Sequence, residues 1–428
     1  MSQPEHVLVV GAGLGGLRTV EQLRTAGFQG RISLVGDEPH APYDRPPLSK
    51  QVLTGEWAPE RTTLRSAEGL DELGVRTHLG MRAVALRPGE VELADGASLH
   101  ADAIVVATGL AARTLPDQPA SVHTLRTLDD ALALRSALER ASSLLVVGGG
   151  FIGAEVASSA RTRGLAVTVL EALPVPSARA LGEELGALTG RLMTEAGVDL
   201  RTNVRIAGFV GGADDGRGGH PSGATSGGAS SGGTDDRIGV ALADGARVVA
   251  DVVVVGIGGV PRLGWMDGGS TASAGPGGLA CGPTGRVEGM PGVWAVGDVA
   301  AWPDPAHGDR HRHEHWTSAG DQAATVARDI LGEPPPSARV PYFWSDQFGL
   351  KIQLFGRPEH ADTLLPLHGD GLAGGAVRGT VVGLLADGRL VAVAGFGAAR
   401  FVARYRALLL DGADGAAALE LASTLRTR

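Results

Sequence analysis

Two stretches decide the fold: "HVLVVGAGLGGLRTVEQLRTAG" at residues 6–27 and "SLLVVGGGFIGAEVASSARTRGLAVTVLE" at residues 143–171. Each opens with a short β-branched apolar run, passes through a Gly-rich turn, and continues with helical periodicity. In the first, "RISLVGDE" follows as a second strand ending in acids; in the second, "LAVTVLE" does the same. Strand, Gly-rich turn, helix, strand is one mononucleotide-binding unit. Its recurrence 137 residues later (148 − 11, from the first glycines Gly11 and Gly148) is too long for a solenoid repeat and suits two whole domains of similar plan.

Within each turn the spacing is GxGxxG. Gly11, Gly13 and Gly16 form the first set, and Gly148, Gly150 and Gly153 the second. The first glycine allows the tight turn, the second lets backbone approach a pyrophosphate, and the third lets helix and strand pack closely. The helix N-terminus favours the phosphate charge. An acid about 20 residues on should hold ribose hydroxyls. Glu171 closes the second unit. In the first, Asp37 is favoured, with Glu38 one residue away. A carboxylate at 171 would repel the extra phosphate of NADP, so NAD is expected there.

The rest of the chain bounds the possibilities. At 428 residues it exceeds one ordinary core, and 43% hydrophobic with 20% charged residues describes a chain that folds. Glycine, 66 residues, is roughly twice its usual share. Ten of these glycines and four serines fall within 211–233, which reads as a disordered insertion in a hairpin of the second unit. The net charge of −9 argues against general nucleic-acid binding. Cys281 is the only cysteine, so neither a CxxC redox pair nor a four-cysteine cluster can form. No run of about 18 apolar residues occurs, and "MSQPEHVLVV" lacks the features of a signal peptide, so a cytoplasmic protein without a membrane partner is expected.

Lysine occurs only at positions 50 and 351; every other cationic side chain is arginine. Lys50 ends "YDRPPLSK" (43–50), where two prolines stiffen the approach. A compact ammonium on a flexible stem does something a planar guanidinium replaces poorly.

Two dinucleotide units imply two dinucleotides, and a hydride from a nicotinamide needs an acceptor, commonly a flavin. Around that pairing stand "YDRPPLSK", "IVVATG" (104–109), "LRTLDDA" (125–131), "GGGFIGAEVA" (148–157), "VWAVGDVA" (293–300), "EHW" (314–316) and "FWSDQ" (343–347). In this order and combination they resemble the FAD- and NADH-dependent ferredoxin and rubredoxin (putidaredoxin-type) reductases of bacterial cytochrome P450 and Rieske oxygenase systems. The resemblance covers nearly the whole chain apart from the insertion. It implies an α/β fold with two Rossmann-like domains, for FAD and NAD, and a C-terminal α+β domain. The expected boundaries are 1–115 with 260–332 for the split FAD domain, 116–259 for the NAD domain and 333–428 for the C-terminal domain.

The resemblance also assigns residues. Lys50 would lie at the reactive edge of the flavin ring, Glu155 at the nicotinamide end and paired with Lys50, and Trp316 beside the isoalloxazine. Asp298, after Gly297, would bond the ribityl chain, and Arg126 would face the FAD pyrophosphate. Thr108 and Gly109 would lie near the cofactor, and Gly15, Ala83, Ile152 and Gly258 would be further cofactor-binding residues. NADH is expected over NADPH. The implied acceptor is an iron–sulfur ferredoxin serving a P450 or Rieske oxygenase. An NADH oxidase or quinone reductase, and a redox signalling flavoprotein resembling apoptosis-inducing factor, are the alternatives.

Some residues depart from the family pattern. "ALPVPSAR" (172–179) lacks an arginine often found after the acid, a role left to Arg179, and "VGIGGVPR" (255–262) alters the order of a usual turn. Cys281 is expected to be inert. "HRHEH" (311–315) would put His311, His313 and His315 on one face of a strand, a metal-like spacing with no further ligand evident in the sequence. No metal is therefore expected, and with Arg310 and Arg312 the histidines read as a basic rim for an acidic ferredoxin.

Overall fold

The computed structural model describes residues 3–211, 237–266, 274–275, 277–304, 310–312, 314–337 and 339–426. The 211–233 insertion, apart from Gly211, lies outside them. The strands flanking it, Ile206–Val210 and Ile238–Leu242, pair antiparallel.

The first quoted stretch builds a parallel sheet. Its strands run in the order Val293–Ala295, Ala103–Val106, His6–Val10, Arg31–Gly36 and Val75–Leu79. The run "HVLVV" is buried at every position because both faces of this sheet are covered. On one face the helices Leu14–Thr25 and Trp316–Ile330 pack together, joining Leu17, Val20 and Leu23 to Val326, Ala327 and Ile330 over Val7 and Val9. On the other, Leu8, Val10 and Ile104 meet Leu86 and Val91 of a small antiparallel sheet, Ala83–Arg87, Glu90–Leu93 and Ser98–His100.

The second stretch builds another parallel sheet in the order Asp199–Arg201, Ala166–Leu170, Ser143–Val147 and Val252–Val255. Its helix Phe151–Thr162 covers one face, and the antiparallel sheet that includes Ile206–Val210 and Ile238–Leu242 covers the other. The chain passes between the two units through Leu110–Ala112 and Gly259–Pro261, which pair with each other.

From Tyr342 onward, five antiparallel strands form the sheet Tyr342–Gln347, Leu350–Gly356, Arg389–Phe396, Thr380–Ala386 and Thr363–His368, in that spatial order. Its alternating pattern buries Ile352, Leu354 and Ala394 against Leu181, Leu185, Leu188 and Leu192 of the helix Ala178–Glu195. This packing sets the edge strand Tyr342–Gln347 beside the helix Phe151–Thr162. Among the described residues no helix is long and apolar enough to cross a membrane.

Candidate functional site

The two Gly-rich turns share one geometry. In each, the first glycine amide donates to a carbonyl at the end of the neighbouring strand: Gly11 to Val35 at 2.7 Å and Gly148 to Leu170 at 2.8 Å. Gly11 has φ +120° and Gly148 φ +105°, and a Cβ on either would stand 2.2 or 2.4 Å from a carbonyl oxygen of the next strand-end loop. A Cβ on Gly16 or Gly153 would meet the carbonyl oxygen of that first glycine at 1.8 or 2.0 Å. Gly13 and Gly150 differ. Both have extended backbone, and a Cβ on either would meet no protein atom within 4 Å. No packing among the described residues demands glycine there.

The registers locate the acids that close each unit. Val10 pairs with Val35 and Val147 with Leu170, so Gly36 occupies in the first unit the place Glu171 takes in the second. A Cβ on Gly36 would lie 2.6 Å from the Ala12 Cβ. The second unit has Gly149 opposite, which makes room for a carboxylate. Glu171, 9% exposed, accepts from the amides of Gly149 at 2.7 Å and Leu173 at 2.8 Å. Two oxygens carry about four acceptor positions, so acceptor capacity remains. The first unit's acids therefore come one and two residues later. Asp37 pairs with Arg262. Glu38 accepts from the Tyr43 hydroxyl at 2.5 Å and from Arg45 at 2.9 Å.

A cavity of about 570 Å³ opens from the first turn, inside the usual range for ligand sites. Gly11, Gly13, Gly15, Asp37, Ala83, Thr108, Gly109, Arg126, Gly297 and Asp298 line it on the side of the first sheet. Ile152 and Glu155 enter from the second unit, Trp316 from the helix it begins, and Phe343 and Trp344 from the C-terminal sheet. Gly16 lies behind this wall in the packing of its helix. Gly148, Gly150, Gly153, Glu171 and Gly258 are likewise outside it, at the second turn and strand ends.

Lys50 is held at the seam between these parts. Pro46 and Pro47 fix φ through the short 3₁₀ turn Pro46–Ser49, and Lys50 follows it directly. The Lys50 Nζ lies 2.7 Å from Glu155 Oε2, with the two side chains 13% and 4% exposed. Ser49 Oγ also donates to Oε2, at 2.5 Å, while Ser345 Oγ and the Asp346 amide donate to Oε1 at 2.6 and 3.2 Å. Gln347 Nε2 donates in turn to Ser345 Oγ at 2.9 Å. One buried carboxylate thus gathers donors from the lysine turn and from "FWSDQ". Loss of a hydrogen bond to such a charge costs about 1.5–3 kcal/mol. Ser345→Ala is expected to destabilise the native protein by that amount in chemical denaturation, with Ser345→Thr recovering most of it.

Across the cavity, Trp316 Nε1 donates to Asp44 Oδ1 at 2.7 Å, and the Arg18 guanidinium stands 5.7 Å above the indole. Burial raises the Asp44 carboxyl pKa, opposed by the Trp316 hydrogen bond and the charge of Lys50. Arg126 Nη2 and Asp298 Oδ2 pair at 2.9 Å. Burial, and then Arg45, lower the pKa of the Arg126 guanidinium. Gln322 Oε1 accepts from the Gly297 amide at 2.7 Å. His315 is packed 5.1 Å from the Phe343 ring, and burial lowers its pKa, which favours the neutral imidazole.

Sequence reasoning missed Asp44, Arg45, Ser49, Ser345 and Arg262, although "YDRPPLSK" and "FWSDQ" already contained four of them. The shared strand face for His311 and His315 is corrected: the strand is only Arg310–His311, and His315 instead occupies the N-cap position of the helix Trp316–Ile330 without a side-chain capping bond; His313 lies outside the described residues. The basic rim is also corrected, because Arg310 pairs with Glu288 and Arg312 with Glu314. Cys281 is fully buried, and burial pushes its thiol up to about 12. Thiol reagents at pH 8 are expected to leave the native protein unlabelled and to titrate one thiol after denaturation.

Comparison with known proteins adds to this geometry. Residues 5–323 match the family described as pyridine nucleotide-disulphide oxidoreductase, and residues 342–425 match that described as reductase C-terminal. The chain is 37% identical over 408 residues to the chlorobenzene dioxygenase ferredoxin reductase component of Cupriavidus sp. (strain PS12), covering 92% of this chain and 90% of that protein. It is 36% identical to rhodocoxin reductase of Rhodococcus erythropolis, over 83% of this chain and 79% of that one. Among solved structures it superposes on a chain of the covalent putidaredoxin reductase–putidaredoxin complex with a TM-score of 0.86 and 28% identity, covering 99% of both.

Proposed function

This chain belongs to the pyridine nucleotide-disulphide oxidoreductase family, and from that premise we propose that it carries electrons from NADH through FAD to a small iron–sulfur ferredoxin of an oxygenase system. A flavin and a pyridine nucleotide are the groups that the family implies. The residues present fit them. The first turn leaves the space beside Gly13 free of protein atoms at the head of the cavity, and the second turn does the same at Gly150. Gly11–Gly16, Asp37, Arg126, Gly297 and Asp298 would hold FAD; Gly148–Gly153 and Glu171 would hold NADH. Bound there, the flavin would accept a hydride and release its electrons one at a time.

The observation that carries this reading is the Lys50–Glu155 pair, because it stands where both dinucleotide units and the C-terminal sheet reach one cavity. Lys50 would supply fixed positive charge where negative charge develops. Glu155, saturated by donors, would keep that ammonium aimed. Ile152 and Phe151 wall the nicotinamide side, while Trp316, braced by Asp44, and Trp344 close the cavity against water. The lone buried cysteine supports exit to a protein acceptor, since the chain cannot run the dithiol relay in the family's name.

Steady-state assays test the reading. Rapid ferredoxin-dependent reduction of cytochrome c with slow oxygen uptake is expected; fast oxygen uptake without a carrier would contradict it. With Glu171 buried at the second turn, NADPH is expected to give a KM at least about tenfold above that for NADH. Equal values would remove the assignment of Glu171.

A further inference from the structure

We infer that Asp304, His311 and His360 form a binding site for a borderline divalent cation of the zinc, cobalt or nickel class, remote from the proposed redox chemistry. The three side chains come from separate segments. Asp304 follows the strand Ala300–Pro303, His311 ends the paired strand Arg310–His311, and His360 stands in the connection after Leu350–Gly356 of the C-terminal sheet. Antiparallel pairing of Trp302 with His311 brings His311 back alongside Asp304. One ligand atom from each residue lies within 4.8 Å of the others. The two imidazole rings stand 6.1 Å apart, nearly perpendicular at 76°.

The donor set is two imidazoles and one carboxylate, the chemistry that zinc, cobalt and nickel share. Nitrogen and oxygen donors at about 2.1 Å from a tetrahedral ion stand about 3.4 Å apart. Side-chain movement on the order of 1 Å brings the three to bonding distance. Asp304 is 3% exposed, and its Oδ1 is held 2.9 Å from Arg357 Nη1. That pair orients the carboxylate, as outer partners of metal ligands commonly do. It also cancels the site's negative charge. Binding weaker than at a structural four-thiolate site is expected.

An ion here would tie the paired strands Ala300–Pro303 and Arg310–His311 to the C-terminal sheet. Arg312, the next residue, donates to the Asp298 carbonyl at 3.1 Å, so the clamp reaches the segment between Asp298 and Trp316. This rests on residues that the flavin and nicotinamide assignments do not use.

The test is calorimetric titration of the tag-free, flavin-loaded full chain with zinc chloride, beside His311→Ala, His360→Ala and, as a control, the exposed His100→Ala. The expected result is one ion per chain, affinity reduced about tenfold or more in each of the first two variants, and no change in the third. Zinc should also raise the thermal midpoint of the native chain and not that of His360→Ala. Absence of saturable binding, undiminished affinity in both variants, or loss in only one of them would overturn the three-residue assignment.

Discussion

Lys50→Met is expected to slow reduction of the bound flavin by NADH by roughly 10²–10³-fold while leaving FAD content unchanged. The substitution keeps the length and apolar bulk of the stem and removes only the ammonium. Lys50 is fixed from behind by the Pro46–Ser49 turn and from the side by Glu155 at 2.7 Å. It reaches the cavity with little freedom and little water, 13% exposed. A charge so arranged needs no reorganisation when negative charge develops, and preorganised charge of this kind is commonly the largest single contribution to catalysis. The turn at Gly11–Gly16, proposed to hold the FAD phosphates, is built from different residues, so cofactor retention should not follow the rate. Removing the ammonium also strands the Glu155 carboxylate, a loss of its own kind. The double substitution Lys50→Met with Glu155→Gln removes that stranded charge. If the lysine acts only by neutralising Glu155, the double variant recovers the rate; if its charge acts toward the ring, the rate stays low. Stopped-flow absorbance of the anaerobic protein separates the cases, and a single variant as fast as the native protein would reduce Lys50 to a remnant of composition.

Gly150→Val should raise the KM for NADH by about 100-fold or more while the protein still binds FAD; Gly13→Val should do the reverse, yielding a folded protein that loses FAD. Both glycines have backbone angles open to any residue, φ −83° and −68° with extended ψ, and a Cβ at either position would have no protein atom within 4 Å. Among the described residues the chain itself therefore has no steric reason to reject a Cβ there. A pyrophosphate lying against the turn does, because the side chain would fill the approach of its oxygens to the backbone amides. The contrast with Gly16 and Gly153 is built in. There a Cβ would stand 1.8 or 2.0 Å from a carbonyl oxygen, so substitution should damage folding rather than affinity. Circular dichroism, flavin absorbance and NADH kinetics on the four variants distinguish ligand-facing from packing glycines. Loss of both cofactors in either Gly13→Val or Gly150→Val would contradict the assignment of one turn to each dinucleotide.

Which parts of this were legible in the sequence follows from how far each pattern reaches. The two Gly-rich turns were readable because turn, helix and strand lie within about 30 residues of each other. The register of the acids that close the two units was readable only to within a residue. Gly36 fills the place of Glu171 because Ala12 already occupies the space opposite, and residue counting cannot see that exchange. Lys50 stood out by its rarity. Its supporting residues did not: Ser345 meets Glu155 across 190 positions of chain and Trp316 meets Asp44 across 272, and neither contact leaves a local period. The histidines of 311–315 misled for the opposite reason. Their alternation is a strand pattern, but the strand ends at His311 and the helix begins at Trp316.

The central claim is that two dinucleotides meet at Lys50 and Glu155 and that electrons leave through the flavin to an iron–sulfur protein. An anaerobic single turnover tests it most directly. The yellow protein is mixed with one equivalent of NADH, and then with oxidised ferredoxin. The expected result is bleaching of one flavin per NADH, followed by recovery of the flavin absorbance on addition of two equivalents of ferredoxin. A protein that takes up no FAD, or a reduced flavin that ferredoxin leaves bleached, would contradict the account.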